Sequence, residues 1–143
     1  MTRIIAGSAG GRRIQAPKGE ATRPTSGRVR EALFSGLESR GAVRGAKVLD
    51  LFSGSGALGL EAASRGASDV VLVDSSREAA EVARRNATTL SLTQVRVVLS
   101  SVQRYLGGNP PFLAGSTADV VLLEPSYVLS EGEVADVLSA VTQ

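Results

Sequence analysis

A chain of 143 residues, 43% apolar and 21% charged, is sized for one globular domain with its own core and is short for a complete doubly wound sheet. It has no cysteine and no histidine, which excludes disulfides, a thiolate nucleophile, a Cys/His zinc site, an imidazole base and a Ser-His-Asp triad. The net charge of +2 is unevenly spread: residues 1–47 carry ten Lys/Arg against three Glu, whereas residues 48–143 carry six Arg against eleven Asp/Glu.

The N-terminal excess is concentrated in Arg3, Arg12, Arg13, Lys18, Arg23, Arg28 and Arg30. A basic segment on an acidic body points to a polyanionic partner, nucleic acid first, with a solvated N-terminus as the plain alternative. No apolar run approaches the roughly 18 residues that span a bilayer. Met1-Thr2-Arg3-Ile4-Ile5 lacks a signal-peptide core, so a cytoplasmic location and no membrane contact are expected.

Residues 3–6 and 12–16 read as short strands joined through Gly7-Ser8-Ala9-Gly10-Gly11, a β-hairpin. Residues 17–25 form a polar connector with two prolines. A helix is expected over 26–38, its buried face drawn by Val29, Leu33 and Leu37 with Ala32 and Phe34 beside them. Arg30 and Glu31 are adjacent on it and so do not face each other. From Lys47 strands and helices alternate. Strands are expected at 48–51, 70–73, 95–99 and 120–123, and helices at 57–65, from Ser75 to about 89, and from Ser130 to 141, with a helical turn at 102–106. Ser75 with Glu78, and Ser130 with Glu133, have capping-box spacing. Gly66 stands where a helix C-cap needs glycine. The near-continuous Val/Leu strands suit a parallel sheet covered on both faces. Fewer strands follow than such a fold normally has, as expected of a truncated chain, a fragment of a longer protein, or a chain with a sheet edge open to self-association; the expectation is otherwise a monomer.

The most informative stretch is Leu49-Asp50-Leu51-Phe52-Ser53-Gly54-Ser55-Gly56-Ala57-Leu58-Gly59. Gly54, Gly56 and Gly59 satisfy G-x-G-x-x-G after a strand, and Asp74 follows Gly54 by twenty residues, at the end of the next strand. That pattern fits a nucleotide-like cofactor with Asp74 accepting from ribose hydroxyls. By itself it does not separate a dinucleotide from S-adenosylmethionine. Asp50 beside the turn would repel a pyrophosphate and suit an ammonium or sulfonium group. The alternative readings are a helix N-cap or turn residue for Asp50 and a cap for Asp74. Glu61 reads as a structural acceptor for backbone or Arg groups nearby.

At the end of the fourth core strand stands Glu124-Pro125-Ser126-Tyr127, an acid, a proline and an aromatic on the ligand side of an open α/β sheet. Arg3-Ile4-Ile5-Ala6-Gly7, Arg23-Pro24-Thr25 with Arg28, Arg30-Glu31-Ala32-Leu33-Phe34, residues 49–62 and Ser64-Arg65-Gly66-Ala67, which cover the chain from its start to about Asp74, resemble the RsmD family. That family methylates the exocyclic N2 of a guanine in bacterial 16S ribosomal RNA with S-adenosylmethionine. The resemblance implies a Rossmann-like methyltransferase fold: an open, mostly parallel sheet with helices on both faces, preceded by a β-hairpin and lacking its C-terminal strands. It implies a basic hairpin and connector over 1–25 and a methyltransferase domain over 26–143.

By the same resemblance, Asp50, Phe52, Ser53, Gly54, Ser55, Gly56, Asp74, Ser75 and Ser101 bind the cofactor. Glu124, Pro125, Ser126 and Tyr127 are catalytic. Arg3, Arg12, Arg13, Arg23, Thr25 and Arg28 contact RNA, either free or in an assembling small subunit, and no metal is expected. Ser101 also reads as a plain turn residue. Similar amino-methyltransferases carry Asp-Pro-Pro-Tyr, or Asn in first place, where this chain has Glu124-Pro125-Ser126-Tyr127. An exocyclic amine is a poor nucleophile and needs acceptors for its N–H groups and an aromatic ring to stack on its base. Glu124 places its carboxylate one methylene further out, and Ser126 frees a backbone that proline would fix. Two other readings stay open: a catalytically impaired protein that binds RNA and S-adenosylmethionine, and an NAD-dependent oxidoreductase.

Overall fold

The computed structural model describes residues 2–16, 27–107 and 118–123. Strands β1 (Thr2–Arg3) and β2 (Arg13–Ile14) pair antiparallel as the expected hairpin, Thr2 opposite Ile14. Helix α1 (Gly27–Ser39) follows. Then come β3 (Lys47–Leu51), α2 (Ala57–Ser64), β4 (Asp69–Asp74), α3 (Arg77–Thr89), β5 (Val95–Leu99), α4 (Val102–Gly107) and β6 (Val120–Leu123).

Strands β3 to β6 form one parallel sheet in the order β5-β4-β3-β6. Strand residues alternate between its two faces. Val48, Val70, Leu72 and Leu122 join one core cluster with residues of the hairpin, α1, α2 and α3. Leu49, Leu51, Val71 and Val73 join a second with Val102, Tyr105 and Leu106 of α4. The two sides follow from handedness. The crossovers β3→β4→β5 step one way across the sheet, and the return from β5 to β6 steps back, so right-handed connections put their helices on opposite faces. The order reverses between β3 and β6, and the crevice outside the carboxyl ends of those strands is where open α/β sheets bind ligands.

Ile4, Ala9 and Ile14 of the hairpin are buried with Leu60 and Phe34, so the hairpin shares the main core. Two buried polar residues of α2 hold it there. Ile5 N–H donates to Glu61 Oε1 at 2.9 Å and Ala6 N–H to Glu61 Oε2 at 3.1 Å. Ser64 Oγ accepts from Ala9 N–H at 2.9 Å and donates to the Ala6 carbonyl at 2.6 Å. A Cβ on Gly7 would stand 1.9 Å from the Ser64 carbonyl oxygen, and Gly7 has φ +84°, so only glycine fits this approach.

Helix α1 turns a different face inward than its apolar spacing suggests. Arg30 and Phe34 are its buried residues, while Val29 is 58% and Leu33 37% exposed. The rotation brings the Arg30 guanidinium to Glu61 Oε1 at 3.3 Å and to the Arg3 carbonyl oxygen. Arg65 completes the group, donating to Glu61 Oε2 at 2.8 Å with its guanidinium 5.2 Å above the Phe34 ring. One buried carboxylate, 0% exposed, thus serves two guanidiniums and two backbone amides. Of the basic excess before residue 31, Arg30 is therefore an internal counter-ion.

Helix α3 opens one residue later than expected. Ser76, not Ser75, is its N-cap, accepting from Ala79 N–H at 3.2 Å. Asp74 explains the shift: its Oδ1 accepts from Ser76 N–H at 2.8 Å, extending the turn by one residue before the helix. The expected boundary at 25/26, the Ser130–Glu133 pair and the final helix lie outside the described residues. No helix among the described residues is long and apolar enough to cross a membrane.

Candidate cofactor and substrate site

The parallel register delivers the ends of β3, β4 and β5 to one edge of the sheet, and three hydrogen bonds join them. Ser53 N–H donates to the Val73 carbonyl at 3.0 Å and Ser100 N–H to the Asp74 carbonyl at 2.9 Å. Gly54 N–H donates to Asp74 Oδ2 at 2.8 Å. Phe52, Gly54 and Gly56 have φ of 63°, 55° and 91°, so the chain leaves β3 through left-handed backbone. Glycine takes that conformation freely; buried Phe52 does so at a cost, the kind of local strain that clusters at ligand-binding turns.

The three glycines have separate tasks. A Cβ on Gly59 would meet Leu72 Cδ2 at 2.1 Å, so Gly59 allows α2 to lie close on the sheet. Gly56 is the N-cap of α2. Among the described residues, a Cβ on Gly54 would meet nothing within 4 Å, so this part of the backbone is left open by them. Beside it, the Ser53 hydroxyl is buried and has no hydrogen-bond partner among the described residues. An orphaned hydroxyl next to an open backbone fits a site built for a polar ligand.

Asp50 is turned toward α2. It lies on the α2 face of β3, is 1% exposed, and its Oδ2 accepts from Gly59 N–H at 2.9 Å. It is the carboxylate that satisfies the first turn of α2, since Gly56 offers no side-chain cap. Register is the signal that would have found this: Val48 and Asp50 share a face, and Val48 belongs to the α2 cluster. Asp74 accepts one N–H on each oxygen and is partly exposed, and a carboxylate has room for about four such bonds, so acceptor capacity remains on it.

Ser55 is partly exposed and Ser75 exposed at the same edge. Ser101 acts as a cap in the described structure, its Oγ accepting from Arg104 N–H at 3.1 Å at the start of α4. Arg3, Arg12, Arg13 and Arg28 are exposed. Arg3 donates to the Gly11 carbonyl at 3.0 Å and Arg12 to the Thr89 carbonyl at 2.8 Å. Arg23, Thr25 and Glu124, Pro125, Ser126 and Tyr127 lie outside the described residues. The last described residue before that motif, Leu123, pairs with Leu51, which leads into the glycine turn.

Sequence reading missed Asn86 at this site. Its side chain, 3% exposed, accepts from Gln15 N–H at 2.9 Å and donates at 3.0 Å to the carbonyls of Gln15 and Ser55. A polar residue among the buried alanines of α3 was the available signal. On the opposite side of the sheet, burial raises the Tyr105 phenol pKa above its usual value, and the Arg96 charge partly offsets this. Among the described residues there is no group of His, Cys, Asp and Glu able to hold a metal ion.

The family model described as Conserved hypothetical protein 95 matches residues 2–143. The chain belongs to this family, the RsmD family. The ribosomal RNA small subunit methyltransferase D of Escherichia coli is 37% identical over 125 residues, covering 87% of this chain and 60% of the relative. The enzyme of that name from Haemophilus influenzae is 36% identical over 137 residues, covering 93% of this chain and 67% of the relative. A solved structure of a hypothetical protein from Thermus thermophilus superposes with a TM-score of 0.85 at 33% identity, covering 98% of this chain and 78% of that one. This family member thus spans about three fifths of the Escherichia coli relative. Its four-stranded sheet and flanking helices are the Rossmann-like methyltransferase fold.

Proposed function

We propose that this chain carries the cofactor site of an S-adenosylmethionine-dependent methyltransferase acting on the exocyclic N2 of a guanine in small-subunit ribosomal RNA. Family membership and the names of the relatives support the reaction class. The observation that carries the choice of cofactor is the buried Asp50 carboxylate on the first turn of α2. In a dinucleotide site the pyrophosphate lies on that positive helix end. Here a carboxylate already occupies it, which disfavours a second anion and removes the basis for an NAD-dependent oxidoreductase.

Ser53, Gly54, Ser55, Gly56 and Asp74 would hold the cofactor, with Asp74 accepting from ribose hydroxyls. Bound there, S-adenosylmethionine supplies an activated methyl group. The chain's own work is positioning, which suits a protein without cysteine or histidine. Tyr127 stacks on the target base and Glu124 accepts from its exocyclic amine. Arg3, Arg12, Arg13, Arg23 and Arg28 hold phosphates, and Thr25 contacts the same RNA; such contacts orient RNA without reading its sequence. A ribosomal RNA substrate implies work in the cytoplasm.

The test is transfer of labelled methyl from S-adenosylmethionine to 16S RNA lacking the modification, free and in assembling subunits. Transfer to a guanine N2 is expected. Misplacement by about 1 Å can cost on the order of 100-fold in rate, so Glu124→Asp with Ser126→Pro should raise kcat by at least about tenfold. Binding of S-adenosylhomocysteine with no transfer by either protein would replace this reading with that of an RNA- and cofactor-binding protein without turnover.

A further inference from the structure

We propose that Asn86 is a positioning residue that couples the glycine turn to the N-terminal hairpin, so that a ligand bound at the turn is felt at the hairpin. The inference rests on the reading of residues 53–56 as the cofactor turn. It goes beyond that reading by naming the device that aligns the turn with the basic hairpin.

The geometry is specific. Asn86 lies on the buried face of α3 and uses both ends of its amide. Toward the hairpin it makes two bonds to the backbone of Gln15, one in each direction. Toward the turn its Nδ2 donates to the Ser55 carbonyl. Ser55 stands between the two left-handed glycines, Gly54 and Gly56. The peptide unit joining Ser55 and Gly56 is pinned at both sides, its carbonyl by Asn86 and its N–H by the Ser53 carbonyl at 2.8 Å. Without the Nδ2 bond, that glycine-flanked peptide would be held through its N–H alone.

The other hairpin anchors act elsewhere. Glu61 and Ser64 hold residues 5, 6 and 9 against the second half of α2, beyond the turn. Asn86 holds the hairpin's exit at Gln15, two residues past Arg13 and directly before the segment bearing Arg23 and Thr25. It therefore ties the phosphate-binding side of the proposed site to the cofactor side through one amide. Both of its bonded segments are backbone, so side-chain changes at Gln15 or Ser55 would leave the link intact.

Amide hydrogen exchange of the whole chain, with and without S-adenosylhomocysteine, tests this without any turnover. In the wild type the ligand should slow exchange by at least about tenfold in residues 53–58 and also in residues 2–16. Asn86→Asp keeps the acceptor for Gln15 N–H but sets an oxygen against the two carbonyls. Asn86→Leu keeps the volume and removes every bond. In each folded variant, protection at 53–58 should persist while ligand-induced protection at 2–16 falls below about twofold. Protection of the hairpin that survives in the variants overturns the proposal. So does a wild type protected at the turn alone, a result that needs no variant to fold. If the ligand protects nothing in the wild type, the cofactor reading fails. The link is then judged without ligand: Asn86→Leu must speed exchange in both segments together, and a change in one segment alone overturns it.

Discussion

Gly54 and Asp74 are joined at the scale of single residues, Gly54 N–H donating to Asp74 Oδ2 within the proposed site. Gly54 has φ +55° and, among the described residues, open space where a side chain would be, whereas Gly56 and Gly59 are hemmed in by Leu60, Leu72 and Asp50. The three glycines of one motif therefore respond differently to substitution. Gly54→Ala should cost the fold only about 1 kcal/mol, the penalty for a left-handed alanine. Its new methyl group should nevertheless lower S-adenosylhomocysteine affinity by at least about tenfold, because it fills the space left for a ligand. Thermal melts and titration calorimetry measure the two effects separately; normal affinity would show that ligand does not approach Gly54. Asp50 illustrates what a motif conceals. A carboxylate beside a glycine turn is visible in the sequence, but whether it faces the ligand or the helix depends on which face of β3 is covered by α2, and Val48, on the same face as Asp50, packs in the cluster that holds α2.

Helix α2 organises the molecule at the scale of elements. All eight of its residues are buried, and the charged one, Glu61, is the joint between hairpin, α1 and α2. Removing one partner of a buried ion pair leaves a desolvated charge, so Glu61→Ala should destabilise the protein by about 3–5 kcal/mol. Two backbone amides would lose their acceptors as well. Urea denaturation checks this, with a loss below about 1 kcal/mol contradicting the role assigned to Glu61. A lone Glu within an otherwise apolar helix signals such a joint in the sequence, and its structural role was legible there. Its partners were not, because Arg30 lies on a helix whose apolar spacing favours the Val29 and Leu33 side. Arg30 instead faces inward, bonded to buried Glu61 and to the Arg3 carbonyl. The strands were the most legible elements, since parallel strands covered on both faces must be continuous apolar runs.

The whole molecule combines a sheet whose carboxyl edge holds the proposed cofactor turn with a basic hairpin fixed to the body by bonds to Glu61, Ser64 and Asn86. This accounts for the uneven charge. Arg30 is spent inside the protein, and Arg3, Arg12, Arg13 and Arg28 are exposed, the phosphate contacts proposed above. RNA affinity should fall steeply with salt. Arg13→Ala should lower the slope of log affinity against log salt by about 0.7–0.9, one phosphate contact, with similar effect on unrelated RNA sequences. An unchanged slope would remove Arg13 from the interface. The order of elements and the location of the turn could be read from the sequence because both follow from local patterns. The Asn86 link could not, because it joins residues 71 and 31 positions apart through backbone atoms that carry no sequence signal.

The central claim is that the turn between β3 and α2 takes a sulfonium-type methyl donor and not a pyrophosphate. Titration calorimetry of this chain with S-adenosylhomocysteine and, in parallel, with NADH tests it most directly. Saturable one-to-one binding of the first and none of the second is the expected result. NADH binding, or no heat from S-adenosylhomocysteine with a folded protein, would contradict it.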